Sequence, residues 1–251
     1  MDLIPVSLFD QLEFHPPVKN GIYLSSNLKD VNQEDNLVVK AVRILEDQSN
    51  QKFSLHIKLK KLIPWGAGLG GGSSNAAHTL TTLNTLYHLD FSIDQLKDMA
   101  IQLGADVPFF IEPQPSLAEG IGEKLTPLPI FSPLFLILIF PNFPISTGTA
   151  YKECQISKRE DIITEYSTTN LAGYNEEMND FWIPLAKQYP VLNRCRSRLI
   201  HENSIYAGMS GSGSTVFGVF KNQQIRDQAY ENICTHTDWQ VFRCETLNYP
   251  P

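Results

Sequence analysis

Two periods of polarity alternate along the chain, and the changes between them mark the elements. Phe53-Ser-Leu-His-Ile-Lys-Leu59 alternates strictly between apolar and polar positions. That pattern predicts a strand with one buried face in an antiparallel or mixed sheet. His56 falls on its polar side, a solvated position. From Asn36 to Leu45 apolar residues recur at helical spacing, with Asp35 and Asn36 where a cap belongs. Further helices are predicted from about Asn75 to Leu89, from Ile93 to Leu103 behind the cap Ser92, and over about 223 to 234. Gly104 is expected to stop the 93–103 helix in the usual way for a glycine. Asp106 to Ile111 is then expected to leave as extended chain.

The longest apolar run, Leu134 to Phe140, is bracketed by Pro133 and Pro141. It is far too short to span a bilayer and predicts a fully buried strand. Short strands are expected within residues 7–24, at Thr215 to Phe220 and at Trp239 to Phe242. A polar helical region is expected over about 158–200, broken by Pro184 and Pro190. The proline-rich stretch from Lys124 to Pro133 carries no long periodic pattern, so a lobe boundary is placed there. The fold class is α+β in two lobes: an N-terminal mixed-sheet lobe with helices over 1–127 and a C-terminal α+β lobe over 128–251.

Composition narrows the functions. Of 251 residues, 42% are hydrophobic and 19% charged, ordinary for a globular protein with a sizeable core. The formal net charge is −7, with no basic block, which argues against nucleic acid as a partner. An anionic ligand must therefore be held by local dipoles and a few lysines. The four cysteines form no Cys-x-x-Cys pair and are expected to be idle thiols. The chain shows no signal-peptide pattern, and a cytoplasmic location without membrane contact is expected.

The chemistry concentrates in Pro64-Trp65-Gly66-Ala67-Gly68-Leu69-Gly70-Gly71-Gly72-Ser73-Ser74, just before a predicted helix. Glycines let backbone N–H groups approach a ligand closely, and a helix start adds unpaired N–H groups and a positive dipole end. Together they make a phosphate site. Ser73 and Ser74 add hydroxyls that reach a phosphate or a magnesium ion. Other interpretations fit less well. Gly66, Gly68 and Gly71 satisfy Gly-x-Gly-x-x-Gly, with Asp90 near the spacing of a ribose-binding acid. The preceding strand alternates, however, and Asp90 lies between two helices, which is the wrong context. A Walker-type loop needs lysine where Gly72 stands. A plain structural turn needs neither three consecutive glycines nor the two hydroxyls.

The segment from Pro64 to Ala77 resembles the phosphate loop of the GHMP kinases. Leu103-Gly-Ala-Asp-Val-Pro108, Ala118-Glu-Gly-Ile-Gly-Glu123 and Ser210-Gly-Ser-Gly-Ser214 are similar to later motifs of that superfamily, in the same order. The triple glycine and Ser-Ser-Asn-Ala-Ala are closest to the branch that phosphorylates a cytidine-diphosphate-linked methylerythritol in non-mevalonate isoprenoid synthesis. The resemblance implies the two-lobe GHMP kinase fold, ATP as co-substrate with Mg2+, and a small cytidine diphosphate substrate. A monomer or homodimer is expected, and transfer to the substrate's 2-hydroxyl is expected to be direct, because no positioned nucleophile is visible. Asp106 matches the catalytic aspartate. Residues 64–74 match the ATP loop, with Asn36 and Lys61 near the adenosine. Lys61 reads equally as a solvated strand-end lysine. Tyr151 matches an aromatic that stacks on cytosine, Thr147 lines the same pocket, and Ser212 and Gly213 close the far side. No resident metal site is expected. The alternatives are another GHMP kinase, acting on mevalonate, homoserine or a sugar, or a nucleotide-binding relative without turnover.

Family members open with Pro-Ala-Lys-(Ile/Leu)-Asn-Leu and a turn ending Asp-Gly-Tyr-His. The lysine serves catalysis and the Tyr-His binds the cytidine. Neither motif occurs here, and Val6 to Leu12 is similar to the piece that follows them. An incomplete chain or a relative that has lost part of its site is the expectation, aggregation-prone and nearly inactive.

Overall fold

The computed structural model describes residues 1–17, 20–27, 33–120, 122, 124–128, 133–154 and 179–247. The strands are β1 (Asp2–Leu3), β2 (Gln11–His15), β3 (Ile22–Ser26), β4 (Leu55–Lys60), β5 (Ser116–Glu119), β6 (Lys124–Pro127), β7 (Phe135–Phe140), β8 (Tyr206–Met209), β9 (Val216–Phe220) and β10 (Gln240–Glu245). The helices, in our numbering, are α1 (Leu37–Ser49), α2 (Gly71–Leu86), α3 (Ile93–Leu103), α4 (Thr147–Glu153), α5 (Trp182–Gln188), α6 (Val191–His201) and α7 (Gln223–His236).

Alternation in β4 does what its pattern requires. Leu55, Ile57 and Leu59 turn inward onto α1, α2 and α3, joining Val38, Val42, Leu45, Leu80, Leu83 and Met99 in one core. The sheet there has the order β2-β4-β3 and is mixed: β4 runs antiparallel to β2 and parallel to β3. On its outer face His56 meets the Ser25 hydroxyl at 2.8 Å. Asn36 caps α1, its side chain accepting the Val38 N–H at 2.9 Å. Ser92 and Gln95 form a reciprocal capping box at the start of α3.

The second lobe is built on an antiparallel sheet of order β10-β7-β9-β8. Its central β7 is apolar throughout because both faces are covered. Ile137 and Ile139 enter a core with Leu185, Leu192, Leu199 and Phe220. Leu136 and Leu138 face the other way, where Ile4, Val6 and Leu8 pack. Backbone bonds hold that cover in place: Ser7 N–H donates to Glu245 O at 2.9 Å and Leu247 N–H to Pro5 O at 2.8 Å. A third, antiparallel sheet has the order β1-β5-β6.

Several local expectations are corrected. Helix α2 begins at Gly71, not near Asn75, so Gly72, Ser73 and Ser74 lie within its first turn. Gly104 ends α3 in extended backbone, φ 162° and ψ 152°, and not in the left-handed form. Residues 108–110 coil into a 3₁₀ turn instead of extending, because Pro108 occupies the first position of such a turn without strain. Pro184 does not break a helix. It sits in the first turn of α5, where its missing N–H has no partner to lose. The part of the expected polar helix at 158–178 lies outside the described residues.

Leu80 is fully buried between α2 and its neighbours. Leu80→Ala should lower stability by about 2–5 kcal/mol, read from urea unfolding as a lower midpoint with an unchanged slope.

Candidate active site

Gly70 precedes α2 in left-handed backbone, φ 64°, and supplies no side-chain cap. By contrast, α1, α3, α4 and α7 are each capped by a side chain: Asn36, Ser92, Ser146 and Asn222. The first amide returned to the helix is that of Ser74, which donates to Gly70 O at 2.8 Å. The N–H groups of Gly71, Gly72 and Ser73 precede it in the turn whose amides have no carbonyl within the helix. With the positive end of a 16-residue helix behind them, they favour an anion. Ser73 and Ser74 stand half-buried in this turn.

The glycines before α2 divide by what they touch. A Cβ on Gly66 would stand 2.6 Å from Pro144 Cβ. One on Gly68, at φ 72°, would stand 2.4 Å from Ser210 O and 2.7 Å from Gly213 O. One on Gly70 would meet Phe110 Cζ at 2.8 Å, and one on Gly71 Ile63 Cγ2 at 2.9 Å. These four are glycine because protein crowds them. At Gly72 a Cβ would find only Leu37 Cδ1, at an ordinary 3.5 Å, and the residue is exposed. Close approach of a ligand is therefore an argument for Gly72 in particular. Ala67 is buried, Leu69 packs beneath the second lobe's sheet, and Trp65 is 71% exposed next to Pro64.

The loop is clasped by the second glycine-serine turn, between β8 and β9. Ser210 Oγ–H donates to Gly68 O at 2.8 Å, and Thr215 N–H to Ala67 O at 3.2 Å. Ile145 N–H donates to Gly66 O at 3.3 Å. Gly213 is buried at φ 80° and Ser212 half-buried. Asn179 secures the turn from behind, its amide donating to Met209 O and Gly211 O, both at 2.9 Å. Asn179 carries no sequence signal, because it stands at the edge of a long polar region.

Asp106 lies between α3 and the 3₁₀ turn whose Phe110 abuts Gly70. A Cβ on Gly122 would stand 3.4 Å from Asp106 Oδ1, so the turn between β5 and β6 borders the carboxylate. The residue is exposed, yet desolvation by the protein around it raises its carboxyl above the ordinary value. Asn36 stands beside α2, next to the Leu37 that faces Gly72, with its side-chain oxygen engaged as a cap. Lys61 is not a solvated lysine: its ammonium is buried against Asp10 beneath α2. Tyr151, on α4, is 64% exposed and meets Phe181 edge-on at 5.0 Å; Thr147 opens the same helix, exposed. Tyr151 is tied to the loop from two sides: through Phe181, Asn179 and the glycine-serine turn, and through its own helix, whose entry at Ile145 donates to Gly66 O. No group of three or more His, Cys, Asp or Glu side chains suited to a metal occurs among the described residues.

Fold and loop together define a GHMP-type kinase. Residues 36–113 match the model of the GHMP kinases N terminal domain, and residues 168–238 that of GHMP kinases C terminal. A solved 4-(cytidine 5'-diphospho)-2C-methyl-D-erythritol kinase superposes with a TM-score of 0.82 at 30% identity, covering 97% of this chain and 88% of that one. A homoserine kinase from Cytophaga hutchinsonii shares the fold at TM-score 0.72 and 16% identity, covering 98% of this chain and 88% of that one. The 4-diphosphocytidyl-2-C-methyl-D-erythritol kinase of Chloroherpeton thalassium is 36% identical over 236 residues, 90% of this chain and 82% of its own length. That of Syntrophus aciditrophicus is 36% identical over 253 residues, 97% and 88%. The chain belongs to the GHMP kinases and, within them, to the 4-diphosphocytidyl-2-C-methyl-D-erythritol kinase family.

Two alanine substitutions separate crowding from ligand approach. Gly68→Ala should destabilise the fold strongly in thermal unfolding, since backbone on both sides must move. Gly72→Ala should fold with equal or greater stability, by roughly 0.5–1 kcal/mol, and bind ATP more weakly in calorimetry. Unchanged ATP affinity in Gly72→Ala would remove the first turn of α2 from the site.

Proposed function

We propose that this protein transfers the γ-phosphate of ATP to the 2-hydroxyl of 4-diphosphocytidyl-2-C-methyl-D-erythritol. The observation that carries the proposal is the uncapped start of α2, its open amides set beside the segment that bears Asp106. Its amides and the hydroxyls of Ser73 and Ser74 hold the nucleotide phosphates, and Mg2+ arrives with them. The residues from Pro64 to Gly72 wrap the nucleotide, with the exposed Trp65 ring and the Asn36 edge on its outer side. Tyr151 and Thr147 receive the cytidine end of the acceptor. Ser212 and Gly213 close the site opposite the loop.

Chemically, the acceptor oxygen forms a bond to the γ-phosphorus while the bond to the β–γ bridging oxygen breaks, and ADP leaves with that electron pair. Asp106 takes or orients the hydroxyl proton. A carboxyl raised by desolvation suits this task, because its carboxylate is a stronger base than one in water.

The raised carboxyl has two consequences of known sign. The folded chain binds this proton more readily than the unfolded chain, so stability from Asp106 is present at low pH and is lost as pH rises through the raised value. At neutral pH, Asp106→Asn should therefore leave the melting temperature unchanged or higher. The same substitution, made in an active chain that carries the family's opening lysine motif, should keep ATP binding and lose roughly 10²–10⁴ in turnover. The acid limb of the rate profile should lie above the ordinary Asp value of about 3.9. A variant with nearly full turnover would reduce Asp106 to a turn residue.

A substrate panel tests the acceptor. The cytidyl substrate should be phosphorylated in preference to homoserine, mevalonate and sugars, and Tyr151→Ala should raise its KM without changing that for ATP. Preference for any other acceptor would refute the assignment.

A further inference from the structure

Asp10 immediately precedes β2, and its side chain is 1% exposed. Its Oδ1 accepts the N–H of Leu62 at 2.7 Å and of Ile63 at 2.9 Å. Its Oδ2 accepts Asn75 Nδ2 at 2.9 Å and the Lys61 ammonium, itself 7% exposed. Four donors thus fill the roughly four lone-pair sites of one carboxylate. They come from three places: the end of β4, the entry to the glycine loop, and the first turns of α2.

Stability alone does not call for such a group. Exchanging a buried ion pair for well-packed apolar residues is often neutral or stabilising. What the carboxylate provides is fixed geometry between the loop's entry and the helix whose amides face the ligand. It also cancels a charge. Lys61 Nζ lies 3.0 Å from where a Gly71 Cβ would stand, directly beside the first residue of α2. Paired with Asp10, that ammonium adds no net charge at the helix start.

We propose that Asp10 is a positioning residue for phosphate binding. It touches neither nucleotide nor acceptor; it clamps residues 61–63 to Asn75 and so holds the first turn of α2 in register with its loop. The proposal rests on the assignment of that turn to ATP.

Two charge-neutral double variants isolate the clamp. Asp10→Asn/Lys61→Met removes both charges but keeps an oxygen for the Leu62 and Ile63 N–H groups, and its new NH₂ meets the Asn75 carbonyl once that amide turns over. Asp10→Ala/Lys61→Met removes the same charges and the clamp. Titration with Mg-ATP by calorimetry, alongside thermal unfolding, gives the readout. Both variants carry Lys61→Met, so the Asn/Met variant sets the reference affinity, and the Ala/Met variant should bind Mg-ATP about tenfold more weakly than it. Equal affinity in the two, whether strong or weak, overturns the clamp. If the Ala/Met variant does not fold, Asn75→Ala takes its place: it cuts one arm of the clamp from a buried position. A several-fold weaker affinity supports the proposal, and wild-type affinity in folded Asn75→Ala overturns it. A wild-type chain that does not bind Mg-ATP overturns the ATP assignment itself, and the clamp with it.

Discussion

Gly68 has no space for a side chain, and much of the molecule follows from that. Its carbonyl accepts the Ser210 hydroxyl, and Ser210 and Gly213 carbonyls stand where a Cβ would go. Backbone from the first lobe thereby touches backbone from the second, at van der Waals distance and with complementary hydrogen bonds. Interiors packed this closely transmit small displacements instead of absorbing them. The loop's path into α2 is consequently set by both lobes. Asn179 extends the constraint to the segment carrying Phe181, and Phe181 in turn supports Tyr151.

A chain of net charge −7 must attract phosphate against its own average field. The solution is local. A helix start left without a side-chain cap concentrates partial positive charge in a few amides, over a range shorter than the screening length of about 8 Å at physiological salt. The lysine beside the helix start, Lys61, is neutralised by a buried carboxylate.

Much of the fold was legible because the relevant forces are local or periodic. The alternation in residues 53–59 and the capping box at Ser92 each specify their element within one turn or one strand. Residues 134–140 show a buried strand plainly, though not what covers its second face, since Ile4, Val6 and Leu8 come from more than a hundred positions away. Boundaries were harder. Three glycines read as loop, yet Gly71 and Gly72 are helical, because the left-handed Gly70 starts α2 early and tertiary packing offsets poor propensity. The glycine loop and Asp106 were visible as motifs. Asp10 was not: its partner Lys61 is 51 residues away, and a lone aspartate in an amphipathic stretch carries no pattern. Nor does sequence reveal that four of the loop's glycines answer to protein neighbours, because crowding is a property of the assembled fold.

The cover over β7 also bears on how the molecule is made. Ser7 and Glu245 exchange hydrogen bonds across 238 positions of chain, and β10 supplies an edge of the same sheet. The sheet receives its cover only when these distant segments have met. Contacts of such long separation slow folding, since loop-closure entropy is lost before the contact stabilises anything. During synthesis the apolar face formed by Leu136 and Leu138 has its cover already present but no finished sheet to receive it. Closure of the second lobe is thus the step that these long-range contacts slow.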